Sequence, residues 1–337
     1  MKNNSIGVIG AGSWGTAIAG LLSKKGLDTY LWGHRKEHID TLIEERENKK
    51  YLPGFLFPDT LQVTHDLGEV VSRCSVLCMV VPSQQYRKVF HQALQYLDAP
   101  KTIVSAVKGI ENETLSTMTE VMEDEIAKLS LPHEADLAVL SGPSFAREVA
   151  NSVPTAVTLG SKKQNAAVML QQIFGTDYFR VYTSTDVIGL EISAAFKNII
   201  ALATGICDGL GYGMNTRAAL ITRGLAEISR LGIQCGADPL TFSGLSGMGD
   251  LILTCTGDLS RNRTVGLELG RGKKLDEILA SMNMVAEGVK TTLSGYKLAG
   301  KHGVDMPILE QVHAILYKNK DCGSAVKELL QRELKPE

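Results

Sequence analysis

The residues best suited to chemistry begin near the N-terminus, where Gly10-Ala11-Gly12-Ser13-Trp14-Gly15 spells G-x-G-x-x-G. One glycine permits a tight turn, the next lets a pyrophosphate approach the backbone, and the last lets helix and strand pack closely. A helix starting near Ser13 aims its unpaired N–H groups and positive dipole end at such a phosphate. Glycines also mark ordinary turns, so the position directly after a strand and before a helix is what gives the pattern weight. The second strand ends near Trp32-Gly33-His34-Arg35, where an NAD-selective site places Asp or Glu on the ribose 2′-hydroxyl. Asp28 comes too early for that role and Asp40 too late. His34 and Arg35 instead stand where a 2′-phosphate would sit, which favours NADP or the use of both cofactors. The alternative is that Arg35 and Lys36 simply open a solvated helix.

A second group centres on Lys197, in the middle of an apolar helical run from Glu191 to Thr204. A charge there is costly unless it is paired or deprotonated. Ser193, Lys197, Ala201, Thr204 and Asp208 fall on one stripe of mostly small or polar residues, suited to lining a cleft. Desolvation lowers a lysine pKa toward neutrality, where the group can exchange protons; a lysine that snorkels to water is the bland alternative.

The third group is the glycine-rich loop 243–251 and the segment after it. Asp250 among its glycines either pairs with a cationic lysine or caps a helix. Ser260-Arg261-Asn262-Arg263-Thr264 brings two guanidiniums, hydroxyls and an amide to a helix start, a good phosphate receptor. Lys108-Gly109 and Ser141-Gly142-Pro143-Ser144-Phe145-Ala146 come directly after strands, in loops where doubly wound folds bind ligands. No His, Cys, Asp or Glu spacing suggests a metal, and none is expected.

The elements that must hold these residues change character along the chain. Apolar runs at 6–9, 29–32, 76–81, 102–106, 137–140, 156–159 and 179–182 read as strands, with helical patterns such as 16–25 and 115–129 between them. That alternation predicts parallel βαβ units, an N-terminal Rossmann-like doubly wound α/β sheet over residues 1–186. From 187 to 337 long Ala/Leu/Ile/Gly-rich helical stretches take over (187–210, 217–231, 285–302, 308–317), giving an all-α C-terminal domain. The cleft between two such domains is the expected ligand site. A length of 337 residues with 44% hydrophobic and 21% charged residues fits a two-domain globular protein. Net charge −2 and a pI near 6.4 argue against a nucleic-acid partner. Six scattered cysteines without a paired C-x-x-C read as buried thiols in a reducing, cytoplasmic compartment. No apolar run approaches the ~18 residues of a membrane span, so no membrane insertion is expected. The apolar stretch after Met1-Lys2-Asn3-Asn4 reads as a first strand rather than a signal peptide.

Taken together, GAGSWGTAIA at 10–19, SAVKGIE at 105–111, LSGPSFAREV at 140–149, AAFKNIIALATGICDGLGYG at 194–213, GLSGMGDLILTCTGDLSRNRTVG at 244–266 and VAEGVKT at 285–291 resemble the NAD(P)-dependent glycerol-3-phosphate dehydrogenase family of bacteria. The resemblance implies interconversion of dihydroxyacetone phosphate and sn-glycerol 3-phosphate for phospholipid synthesis, with NADP or NAD as cofactor. It places Gly10, Gly12, Ser13, Trp14, Gly15, His34, Arg35, Ala146, Val285 and Glu287 at cofactor positions. Gly142, Ser144, Asp250, Ser260 and Asn262 fall at substrate positions, and Lys108 and Arg261 at positions shared by both ligands. Lys197 matches the catalytic lysine, with Asp250 beside it. By analogy the family implies a homodimer.

Overall fold

The computed structural model describes residues 5–129 and 135–333. The chain divides into two compact units, Met1–Lys108 with Ser116–Leu190, and Gly109–Leu115 with Glu191–Glu337. The short segment 109–115 thus belongs with the later helices, and the Ser294 hydroxyl donates to the Ile110 carbonyl at 3.2 Å.

The first unit carries one eight-stranded sheet in the order β3-β2-β1-β4-β5-β6-β7-β8. Its strands are β1 (Ile6–Ile9), β2 (Thr29–Trp32), β3 (Leu61–Thr64), β4 (Val76–Met79), β5 (Lys101–Ser105), β6 (Ala135–Ser141), β7 (Thr155–Gly160) and β8 (Phe179–Ser184). The helices between them are α1 (Ser13–Lys24), α2 (Lys36–Glu45), α3 (Leu67–Arg73), α4 (Tyr86–Leu94), α5 (Met118–Leu129), α6 (Ala146–Ala150) and α7 (Gln164–Phe174). Alternate strand residues feed two cores, as a period of two requires. Ile6 and Val8 pack with Leu31, Cys78 and Val104 beneath α1; Ile9 packs with Tyr30, Trp32, Leu77 and Met79 beneath α4 and α5. The strand order reverses at β1, which lies between β2 and β4, and a crevice opens at the carboxyl ends of such neighbours.

Two features depart from what the apolar pattern predicts. The pattern contains no signal for β3, an edge strand with one fully buried residue, Leu61. The pair β6–β7 is antiparallel rather than parallel. The connection between them carries only the five-residue α6 and turns back, where a parallel return needs a full crossover.

The second unit is helical. It takes most of α8 (Val187–Gly209), then α9 (Met214–Gln234), α10 (Asp250–Thr256), α11 (Arg261–Gly270), α12 (Leu275–Ala280), α13 (Glu287–His302), α14 (Pro307–Lys318) and α15 (Cys322–Leu330). Helix α8 is long and apolar enough to cross a membrane, a property that a count of uninterrupted apolar runs misses; 94% of its apolar window is buried within the protein, so it is a core helix. It meets α11 backbone to backbone. A Cβ at Gly205 would stand 2.1 Å from the Arg263 carbonyl oxygen, and one at Gly266 would stand 2.2 Å from that of Leu202. Gly209 and Gly270 repeat the contact one turn on. This seam brings the first turn of α11 beside the middle of α8.

Candidate active site

The glycine turn of the first unit is shaped for a phosphate. Gly10 has φ +129°, and a Cβ there would meet the Val80 carbonyl at 2.6 Å; at Gly15 it would lie 1.8 Å from the Gly10 carbonyl. These two glycines are fixed by the turn and by helix–strand packing. Gly12 is different: nothing among the described residues lies within 4 Å of its added Cβ, so the space above the turn is open. Gly12 is also the N-cap of α1 and offers no side-chain cap, which leaves the first N–H groups of a twelve-residue helix to an incoming anion. Ser13 and Trp14 form the first turn of that helix, and the buried Trp14 Nε1 has no hydrogen-bond partner among the described residues. An open cradle, an uncapped helix start and an orphaned donor fit a dinucleotide.

At the end of β2, His34 and Arg35 are both exposed, with Arg35 as the N-cap residue of α2. Protein packed around part of the His34 ring pulls its pKa below the ordinary value, and the Arg35 guanidinium pulls it further. In the loop after β5, the Lys108 ammonium donates to the Gly142 carbonyl at 2.9 Å, and the Ser144 hydroxyl donates to the same oxygen at 2.9 Å. Gly142 has φ +132° and a Cβ there would crowd Val157 at 2.9 Å, so only glycine fits. Three residues expected at the substrate therefore meet at one carbonyl, with Ala146 opening α6 just beyond.

In the second unit Lys197 is 5% exposed and does not snorkel. Its ammonium donates to Asp250 Oδ1 at 2.8 Å and to the Thr254 hydroxyl at 2.6 Å. Asp250 is 1% exposed, so the ion pair is wholly internal. It is the first residue of α10, whose N-cap is Gly249 without a side-chain bond; the capping alternative for Asp250 is not what the structure shows. A single π-helical turn, Leu245–Gly249, delivers it there, and a Cβ at Gly247 would lie 2.1 Å from the Phe242 carbonyl. Such turns insert an extra residue and so rotate the side chains of the next helical turn to a new bearing. The stripe expected to line a cleft is closed instead: Ser193, Ala201 and Thr204 are fully or almost fully buried. Asp208, at its end, binds Arg217 and Arg263.

The phosphate-receptor segment is also rearranged relative to expectation. Ser260 is the N-cap of α11 and accepts from the Arg263 N–H at 3.3 Å. The Arg263 guanidinium is taken by Asp208 and Asp258, so it does not serve as the second guanidinium of a receptor. Arg261 is the one left open to solvent; its Nη1 donates to the Val285 carbonyl at 2.9 Å. Protein crowding holds its pKa below the usual arginine range, with the Glu287 carboxylate acting against that shift, and a guanidinium so placed stays charged. Asn262 donates to Asn198 Oδ1 at 2.8 Å and accepts from the Gly288 N–H at 2.9 Å. That amide pins the first turn of α13, with Val285 and Glu287, to α8 and α11.

Two family models cover nearly the whole chain. The one described as the N-terminus of NAD-dependent glycerol-3-phosphate dehydrogenase matches residues 5–167, and the one described as its C-terminus matches 186–327. A protein of Desulfotalea psychrophila named glycerol-3-phosphate dehydrogenase [NAD(P)+] is 59% identical over 333 residues, covering 99% of this chain and 98% of its own. The chain belongs to the NAD-dependent glycerol-3-phosphate dehydrogenase family. Another relative of the same name, from Syntrophotalea carbinolica, is 54% identical over 99% of both chains. A crystal structure of glycerol-3-phosphate dehydrogenase from Coxiella burnetii superposes with a TM-score of 0.93 at 41% identity, over 98% of this chain and 99% of that one.

Within this glycerol-3-phosphate dehydrogenase fold, Thr254 and Asn198 hold expected site residues in place. Thr254 lies one helical turn after Asp250, and that i, i+4 spacing is a readable signal. Asn198 shares a face neighbouring that of Lys197, but its tie to Asn262 spans 64 positions and leaves no local trace. Among the described residues no cluster of His, Cys, Asp and Glu could hold a metal ion.

Proposed function

We propose that this chain catalyses the reversible reduction of dihydroxyacetone phosphate to sn-glycerol 3-phosphate, with NADP favoured or both nicotinamide cofactors used. The buried Lys197–Asp250 pair, closed by Thr254, carries this reading. A protonated lysine fixed against a carboxylate is a positioned acid, and it needs a charged partner to stay buried. When bound, the dinucleotide supplies or accepts the hydride at its nicotinamide C4. Lys197 hands a proton to the oxygen developing negative charge at C2 of the substrate; in the oxidising direction the neutral amine takes the hydroxyl proton back. Asp250 orients the ammonium and balances its charge. Arg261 receives the substrate phosphate, and Asn262 holds the α11–α13 junction so that the guanidinium keeps its direction. Lys108, Gly142 and Ser144 form the substrate contacts of the first unit, and Ala146, Val285 and Glu287 those of the cofactor. His34 and Arg35 favour a 2′-phosphate because no carboxylate stands at the end of β2.

In this proposal residues 1–186 act as the cofactor domain and 187–337 as the substrate and catalytic domain. The enzyme works as a cytoplasmic homodimer without membrane insertion, and its product feeds phospholipid synthesis. The test is loss of NADPH absorbance on adding dihydroxyacetone phosphate, run beside a panel of keto acids. Turnover confined to the phosphate supports the reading. Absence of turnover, or undiminished turnover in Lys197→Ala, overturns it.

A further inference from the structure

The end of β2 gathers more positive charge than Arg35 alone. Gly33 rests on the glycine turn, since a Cβ there would lie 3.0 Å from that of Ala11. The chain returns to this place after α2 because Asn48, fully buried, donates to the Ala11 carbonyl at 3.1 Å and to the Thr16 hydroxyl at 2.8 Å. The backbone N–H groups of Tyr51 and Leu52 close onto Asn48 in turn. Lys50 is carried on this anchored turn, exposed, with its ammonium 5.3 Å from the centre of the Tyr51 ring. That ring meets the His38 imidazole edge-on at 5.3 Å.

The charges here are sorted in a telling way. Lys36 is matched by Asp40 at 2.8 Å, and Lys49 by Glu45 at 2.9 Å, each one helical turn away. Among the described residues, no carboxylate lies within ion-pair distance of His34, Arg35 or Lys50. Their fields converge: the His38 pKa is lowered first by burial, then by Lys50, Arg35 and, more weakly, His34, while a bond to the Ala11 backbone opposes them. Unmatched like charges repel one another, and an anion arriving among them relieves that repulsion.

We propose that Lys50 is a further cation of the pocket for the adenosine 2′-phosphate, beside His34 and Arg35, and helps to set preference for NADPH over NADH. The inference rests on the cofactor reading proposed for His34 and Arg35. A 2′-phosphate meets the charges of Arg35 and Lys50 beside the His34 ring, whereas the 2′-hydroxyl of NADH gives Lys50 nothing to attract. Lys50 therefore acts on the difference between the two cofactors and leaves their common pyrophosphate binding alone.

Calorimetric dissociation constants for NADPH and NADH, measured on the full-length wild type, Lys50→Gln, Lys50→Arg and Arg35→Gln, test this without reference to turnover. Lys50→Gln is expected to weaken NADPH about two- to fivefold, the range for one exposed charge pair, and to leave NADH unchanged. Lys50→Arg retains NADPH affinity, and added salt shrinks the gap between wild type and Lys50→Gln. If Lys50→Gln binds NADPH as wild type does, or loses both cofactors equally, the proposal is overturned. Arg35→Gln separates the layers: unchanged NADPH affinity there brings down the pocket itself. Selectivity lost in Arg35→Gln but kept in Lys50→Gln brings down the role of Lys50 alone.

Discussion

Glu227 offers a prediction whose size can be worked from its surroundings. It lies on α9, is 3% exposed, and reaches the start of α14, accepting from the Ile308 N–H at 2.8 Å and from the Leu309 N–H at 3.3 Å. Burial pushes its carboxyl from 4.5 up to about 7, against the pull of those two N–H groups and of Arg230, while Asp305 adds to the rise. The sign comes from linkage. The folded state holds the proton more tightly than the unfolded chain, so this contribution to stability is full below 4.5 and is lost as pH rises toward 7. Integrated from about pH 5 to about pH 8, the loss is about 2.5 kcal/mol. Glu227→Gln removes the titration, and its one carbonyl keeps the shorter bond to Ile308. The Leu309 N–H loses its acceptor, at about 1 kcal/mol. Urea unfolding of both proteins across that pH range isolates the effect, because all other titrations cancel in the difference. Near pH 5 the variant should be less stable by about 1 kcal/mol, and near pH 8 it should be more stable by about 1.5 kcal/mol. A difference that stays flat across the range would refute the reasoning.

Three further outcomes concern the second unit. Lys197→Met should lower kcat by about 10²- to 10⁴-fold and destabilise the protein by about 3–5 kcal/mol, because Asp250 is left buried without its partner. Adding Asp250→Asn should recover much of the melting temperature and none of the activity, a split that steady-state rates and a thermal melt read side by side. Arg261→Gln should raise the KM for dihydroxyacetone phosphate at least about tenfold, the scale for a lost charge-assisted phosphate contact, and an unchanged KM removes Arg261 from that role. Gly266→Ala should lower the melting temperature, since its Cβ would lie 2.2 Å from the Leu202 carbonyl oxygen; an unshifted melt shows that the α8–α11 seam can open freely.

Much of this architecture is written in local patterns. The seven strands read from apolar runs are all present, because buried strands of a parallel sheet are nearly continuous in Val, Ile and Leu. The eighth, β3, stays hidden because an edge strand buries little. The same logic divides the site. The partnership of Lys197 with Asp250 is suggested by an apolar helix and a glycine-rich loop, each legible alone. The fate of Arg263 is not legible, since its partner Asp208 lies 55 positions away and an arginine in isolation reads the same whether free or paired. Asn48 escapes for that reason too: an asparagine in a loop gives no hint that it holds a glycine turn 37 residues earlier. Patterns with a period are written in sequence, whereas pairings over long separations exist only once the chain has folded.

The glycine seam between α8 and α11 has a consequence for how this enzyme can diversify. Where two helices touch through their backbones, there is no layer of side chains to repack, so the frame beneath Lys197 and Arg261 has little slack. A change of substrate must then come from exchanging a side chain at its post, with its neighbours held still. That makes the second unit a favourable host for designed specificity changes, each substitution being read against a fixed background. It also makes Gly205, Gly209, Gly266 and Gly270 the positions a designer should leave untouched.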